Sequence, residues 1–137
     1  MGLKESHHIG RIVIHPADPN IVYVAALGHL YSMNPERGLY MTTDGGKNWK
    51  KILGPVVRDR HIGVVDVVMD PTNPDILYAA TYDKERLPWT FNLGGPGSGI
   101  HKTSDGGKTS FQSPWTRLPE SPAEIGRGLW FNVTSGE

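Results

Sequence analysis

The chain has no cysteine, and its 14 Lys and Arg are matched by 14 Asp and Glu over 137 residues. The lack of cysteine excludes disulfides, thiolate chemistry and any sulfur-ligated zinc. The lack of net charge removes the global basic field that would hold nucleic acid or an anionic membrane. No apolar run is long enough to span a bilayer. The opening "MGLKESHHIG" lacks the apolar core of a signal peptide. The expectation is one ordinary-sized unit with no nucleic-acid partner, no membrane span and no signal peptide in this chain.

Glycine and proline are abundant, at 17 and 11 residues. They fall regularly between short apolar runs, which reads as many short strands joined by turns. The runs also repeat. "IVIHPADPNIVYVAA" (Ile12 to Ala26) matches "VVMDPTNPDILYAAT" (Val67 to Thr81) at an offset of 55, pairing Pro16 with Pro71 and Tyr23 with Tyr78. "GLYMTTDGGKNWKKIL" matches "GIHKTSDGGKT…WTRL", pairing Asp44 with Asp105 at an offset of 61. The growth in offset places six extra residues between Tyr78 and Asp105. Five more, Ser110 to Pro114, separate "SDGGKT" from "WTRL".

Each unit carries four strand signals, a to d: "RIVIH", "IVYVAA", "GLYMTT" and "NWKKIL" in the first. Strands a and b are nearly continuous β-branched and aromatic runs, the pattern of strands buried on both faces. Lys50 and Lys51 suit strand d to an outer edge. Four-strand meanders repeating at this period predict an all-β fold, a β-propeller fragment of about two four-stranded antiparallel blades plus the first strand of a third. The boundaries are blade 1 at about 8–54, blade 2 at about 63–119 and the start of blade 3 at about 124–137. Two blades and part of a third do not close a ring. The expectation is a fragment that meets its remaining blades or self-associates.

"TTDGGKNW" fits Ser/Thr-x-Asp-x-Gly-x-x-Trp. Asp44 can accept N–H groups of its own turn, Gly46 supplies positive φ, Thr42 pins the chain and Trp49 packs on the turn. Thr103, Asp105, Gly107 and Trp115 are their second-unit counterparts. This pattern resembles the Asp-box, or bacterial neuraminidase repeat. It occurs on the outer hairpins of sialidases, xyloglucanase-type glycoside hydrolases and sortilin-type receptors. Over nearly its whole length the chain is similar to bacterial sortilin-like or glycosyl-hydrolase repeat proteins. The resemblance implies either a binding propeller or a hydrolase, and an extracellular or periplasmic parent. No catalytic residue carries over by motif.

In a meander the Asp-box turns lie on the end opposite the b–c and d–a loops. Those loops are long: "LGHLYSMNPER", "YDKERLPWTFNLGGPGS" and "GPVVRDRHIG". They present His29, Tyr31, Arg58, Arg60, His61, Arg86, Trp89, Phe91 and Asn92 as candidate ligand contacts for a peptide, protein or glycan. Trp89 and Phe91 either stack on a ligand or cover the blade. Asp59, between two arginines, is either a carboxylate near substrate or part of an exposed salt-bridge cluster. Asp83 and Glu85 are the candidate acid/base pair, although spacing in sequence does not set their separation in space. Asp66 stands where the first unit has Arg11, and pairing with Arg11 or Arg127 is expected. His7, His8 and His15 raise the question of a metal. His15 opens a turn and His8 lies at the far end of the same strand, so no metal site and no cofactor is expected. "GGPGSG" reads as a flexible return into strand c. For the second Asp-box, the expectation is that the five-residue insertion bulges and Trp115 still docks, rather than Phe111 taking its place.

Overall fold

The structure is a computed structural model that describes residues 2–92, 94–109 and 111. The first repeat is a four-stranded antiparallel sheet in sequential order, β1 (His8–Ile14), β2 (Val22–Gly28), β3 (Gly38–Thr42) and β4 (Lys50–Leu53). A two-stranded hairpin follows, β5 (Val56–Val57) and β6 (Arg60–His61). The second repeat contributes β7 (Gly63–Met69), β8 (Leu77–Tyr82) and, after a further hairpin of β9 (Glu85–Leu87) and β10 (Thr90–Asn92), β11 (Gly99–Thr103). Its sheet runs β11-β8-β7, antiparallel throughout. The described residues contain no helix, and no sheet closes into a barrel. The expected second strand d, the third unit, Trp115 and Arg127 lie outside the described residues.

The two repeats build their turns alike. After β1, His15 N–H donates to Ile21 O at 3.0 Å, and Ile21 N–H to Asp18 O at 3.0 Å. After β7, Asp70 N–H donates to Ile76 O at 2.9 Å, and Ile76 N–H to Asn73 O at 3.0 Å. Asp18 and Asp70 each accept backbone N–H groups two residues on, the local bonding that makes Asp a turn former.

In the first DGGK turn the Thr42 hydroxyl donates to Asp44 at 2.7 Å and accepts Gly46 N–H at 3.0 Å. Asp44 in turn accepts Asn48 N–H at 2.9 Å. Gly46 sits at φ 88° and Gly107 at φ 78°, where a side chain would be strained. In the second turn Thr103 donates to Asp105 at 2.7 Å, and Asp105 accepts the backbone N–H of Lys108 and Thr109, each at 3.0 Å. Each turn is tied to the a–b loop of its own repeat, through Gly45 N–H to Asn20 O at 3.1 Å and Gly106 N–H to Asp75 O at 2.8 Å. Asn48 N–H, then the Asn48 amide and the Thr42 hydroxyl, hold the Asp44 pKa down to about 2. The Thr109 and Thr103 hydroxyls do the same for Asp105, also to about 2.

An aromatic side chain lies over each turn. A Cβ placed on Gly46 would meet Trp49 Cζ2 at 3.4 Å, and one on Gly107 would meet Phe111 Cε2 at 3.3 Å. Phe111 therefore covers the second turn as Trp49 covers the first. The expected docking of Trp115 lies outside the described residues.

The repeats stack with β7 lying across β1 and β2. Tyr23, Ala25, Leu39, Val64, Val67, Leu77 and Ala79 form the core between them. Each large apolar side chain buried there contributes about 1.5–3 kcal/mol. Backbones come close at Gly10, where a Cβ would lie 2.0 Å from Val65 O, and at Gly63, where one would lie 3.0 Å from Leu27 O. On the rim of this contact Arg11 Nε donates to Asp66 Oδ1 at 2.8 Å, the expected pairing of the two strand-a charges.

Burial differs from expectation in β1, which is mostly exposed. The reason is its place at the end of the stack. Ile9 and Ile12, 40% and 58% exposed, correspond to Val64 and Val67, which are buried at 0% and 1% against the first repeat. On the opposite side, Tyr78 and Ile100 are 39% and 37% exposed, whereas their counterparts Tyr23 and Leu39 are 2% and 0% exposed. The two outward faces are thus the two halves of the contact already made between the repeats.

Candidate functional site

The three long loops meet at one end of the stack, opposite the DGGK turns. Two of them contain short hairpins that composition alone does not announce. In the first, Arg58 and Asp59 occupy positive φ, 49° and 60°, between β5 and β6. This is a two-residue hairpin turn made without glycine. In the second, Pro88 and Trp89 form the tip between β9 and β10, where Leu87 pairs with Thr90.

Residues Leu30 to Met33 of the first b–c loop and Glu85 to Leu87 of β9 line an open groove of about 200 Å³. The Arg86 guanidinium lies 5.5 Å from the Tyr31 ring centroid and 5.6 Å from that of Phe91. Such stacking holds a cation in place while leaving its edge N–H groups open to a partner. Trp89, 79% exposed, projects from the adjacent tip. The loop candidates Tyr31, Arg86 and Phe91 are therefore brought together at the groove. Arg58 and Asp59 are exposed on their own hairpin, and Asp59 makes no ion pair among the described residues, so the expected salt-bridge cluster around it does not form there. His61 is half-buried in β6. Asn92 closes β10 opposite Glu85 through the backbone.

Beneath the groove the loops are locked by two buried side chains that composition reads as solvated. Arg37, 2% exposed, donates Nη2–H to His29 O at 2.8 Å and to Ser32 O at 3.1 Å, and Nη1–H to Lys84 O at 3.3 Å. It thereby ties the first b–c loop to the second. Burial first, then the neighbouring Arg60, lower its pKa. Asn34, 5% exposed, accepts His29 N–H at 3.0 Å and donates to Glu5 O at 2.7 Å.

Asp83 is also buried, at 2% exposure. Its Oδ1 lies 2.8 Å from Arg60 Nη2, in contact without hydrogen-bond alignment, and its Oδ2 accepts Gly97 N–H at 3.3 Å. Asp83 N–H donates to Ser98 Oγ at 3.0 Å, and Thr81 Oγ1 donates to Gly97 O at 2.8 Å. The "GGPGS" return is thus bonded to β8 and Asp83 through Gly97 and Ser98. Glu85 Oε2 stands 3.9 Å from the same Arg60 nitrogen. The two carboxylates share one guanidinium, but the oxygens of Asp83 face protein on every side described.

The three histidines weighed in the sequence do not meet. His8 Nδ1 is bonded to Gly28 O at 3.0 Å, and His15 Nδ1 accepts Ala17 N–H at 3.2 Å. Instead His7 stacks on His29 with ring centroids 3.8 Å apart, and both reach Glu5. The approach of residues 3–7 to the first b–c loop carries no local sequence signal, because it is made by the buried Asn34.

No protein-family model matches the chain, and no curated protein matches it.

Proposed function

We propose that the chain is a non-catalytic binding segment of an Asp-box β-propeller, two stacked blades whose long loops carry a ligand groove. The observation that carries this reading is the Tyr31–Arg86–Phe91 sandwich at the groove, with Trp89 exposed beside it. Exposed aromatics with a stacked arginine recognise a peptide or a glycan by apolar area and edge hydrogen bonds. The resemblance to sortilin-like repeat proteins agrees with such a role, and with an extracellular or periplasmic parent. The partner for the outward blade faces is a further blade or a second copy of this chain. Each face presents one half of the contact that joins the two repeats, so association is head-to-tail.

A hydrolase fragment is the second reading, favoured by the convergence of Asp83 and Glu85 on Arg60. The enclosure of Asp83 speaks against it, since a glycosidic oxygen or a water must reach a catalytic carboxylate. One experiment separates the readings. The chain is assayed on aryl glycosides and polysaccharides, and screened on peptide and glycan arrays. The binding reading expects array hits with no turnover. Turnover lost in Glu85→Gln would replace it with the hydrolase reading.

A further inference from the structure

We infer that Glu5, His7 and His29 form a binding site for a zinc-like divalent cation. The site lies between the lead-in segment and the first b–c loop. Glu5 Oε2 lies 3.8 Å from His7 Nε2 and 3.5 Å from His29 Nε2. All three donor atoms fall within 4.8 Å of one another. Two ligands at about 2.0–2.1 Å on a tetrahedral zinc stand roughly 3.4 Å apart. The Glu5–His29 separation already matches that edge. The Glu5–His7 separation is within about 0.4 Å of it, and the His7 side chain is exposed, which leaves room for a small rotation.

The surroundings are those of a held ligand set. His29 Nδ1 is bonded to Ser32 Oγ at 2.8 Å, which directs the other ring nitrogen toward Glu5, the second-shell role seen around metal-bound histidines. His29 Nε2 is buried and has no hydrogen-bond partner. Asn34 fixes two of the ligand residues at once, through Glu5 O and His29 N–H. Glu36 holds the third backbone contact by accepting Glu5 N–H at 2.9 Å. His7 itself sits at φ 50°, a conformation a non-glycine residue seldom keeps without cause, and bridges to Gly28 beside His29. Two imidazoles and one carboxylate form an intermediate donor set, suited to zinc and its neighbours rather than to magnesium or calcium. The remaining positions on the ion are left for water or a ligand group. The site adjoins the groove through Leu30 and Tyr31, the residues that follow His29.

The test is calorimetric titration of the full chain with Zn²⁺, and with Mg²⁺ as the contrast. Saturable binding of one Zn²⁺ per chain is expected, with no Mg²⁺ binding at the same concentrations. Glu5→Gln and His7→Ala, both exposed side chains, should each weaken Zn²⁺ by about tenfold or more, whereas His15→Ala leaves it unchanged. Cobalt substitution adds a second readout, since a tetrahedral or five-coordinate N/O site gives visible d–d bands that Glu5→Gln removes. Wild-type affinity in both Glu5→Gln and His7→Ala, or no saturable Zn²⁺ binding by the parent chain, would overturn the assignment.

Discussion

The Tyr23 hydroxyl donates to the Gly106 carbonyl at 3.0 Å, joining strand β2 of the first repeat to the DGGK turn of the second across 83 residues. Tyr78, its counterpart, is 39% exposed and has the Lys102 ammonium over its ring at 5.4 Å. The same residue thus seals a contact in one repeat and offers it in the next. Tyr23→Phe keeps the ring and strands the buried acceptor, so it should cost about 1–3 kcal/mol. Urea unfolding followed by tryptophan fluorescence measures it, and Tyr78→Phe should change stability by less than about 0.5 kcal/mol.

Stacking depends on backbone contact as well as on side chains. Gly10→Ala would drive a methyl into Val65 O, 2.0 Å from the Cβ position. The repeats must then move apart, at a cost of about 1–3 kcal/mol. Gly94→Ala, where nothing lies within 4 Å, should be neutral. The pair, compared by thermal denaturation, isolates the close approach from glycine chemistry in general.

Asp83 tests whether the loop face is built or merely solvated. Asp83→Ala leaves Arg60 and Gly97 N–H without their carboxylate and should destabilise by about 3 kcal/mol, the usual loss on breaking a buried pair. Asp59→Ala, on an exposed turn, should stay within about 0.5 kcal/mol. Any activity lost in Asp83→Ala has to be normalised to folded protein before a catalytic role is assigned.

The organisation of strands was largely legible in the sequence, because nearly continuous β-branched and aromatic runs and paired prolines mark β1, β2, β7 and β8, and the DGGK turns bond within themselves. The loop face was not. Arg37 and Asn34 lie in a polar stretch that reads as solvated, and their burial depends on carbonyls and N–H groups brought from residues 5, 29, 32 and 84. The β5–β6 turn uses Arg58 and Asp59 at positive φ, where a sequence reader looks for glycine. Phe111 over the second turn stands in the sequence only as the alternative to Trp115, because nothing local marks an aromatic for that contact. Tyr31, Arg86 and Phe91 were recognisable as loop residues, but their mutual stacking was not.

Acid should loosen the DGGK turns. Both Asp44 and Asp105 titrate near 2 in the fold, below the ordinary 3.8. A depressed carboxylate contributes stability that is present above the unfolded value and is lost as pH falls toward the folded one. Stability should therefore decline between about pH 4 and pH 2, with a smaller decline in the Asp44→Asn, Asp105→Asn double variant. Urea midpoints measured across that range check the difference.

The outward faces predict association. Sedimentation of the chain should show mass rising with concentration, and Ile12→Lys, which charges a side chain 58% exposed on the first repeat, should shift it toward monomer. Thr72→Lys, at an exposed turn, should not.

The groove carries the central claim, and affinity for a groove ligand tests it most directly. The strongest peptide or glycan found on the arrays is titrated into the parent chain, Tyr31→Ala, Arg86→Ala, Trp89→Ala and Thr72→Ala. The account predicts at least about tenfold weaker binding for the first three and parent affinity for Thr72→Ala, which lies at the opposite end. Unchanged affinity in all of the groove variants, or no array ligand at all for a folded chain, would contradict it.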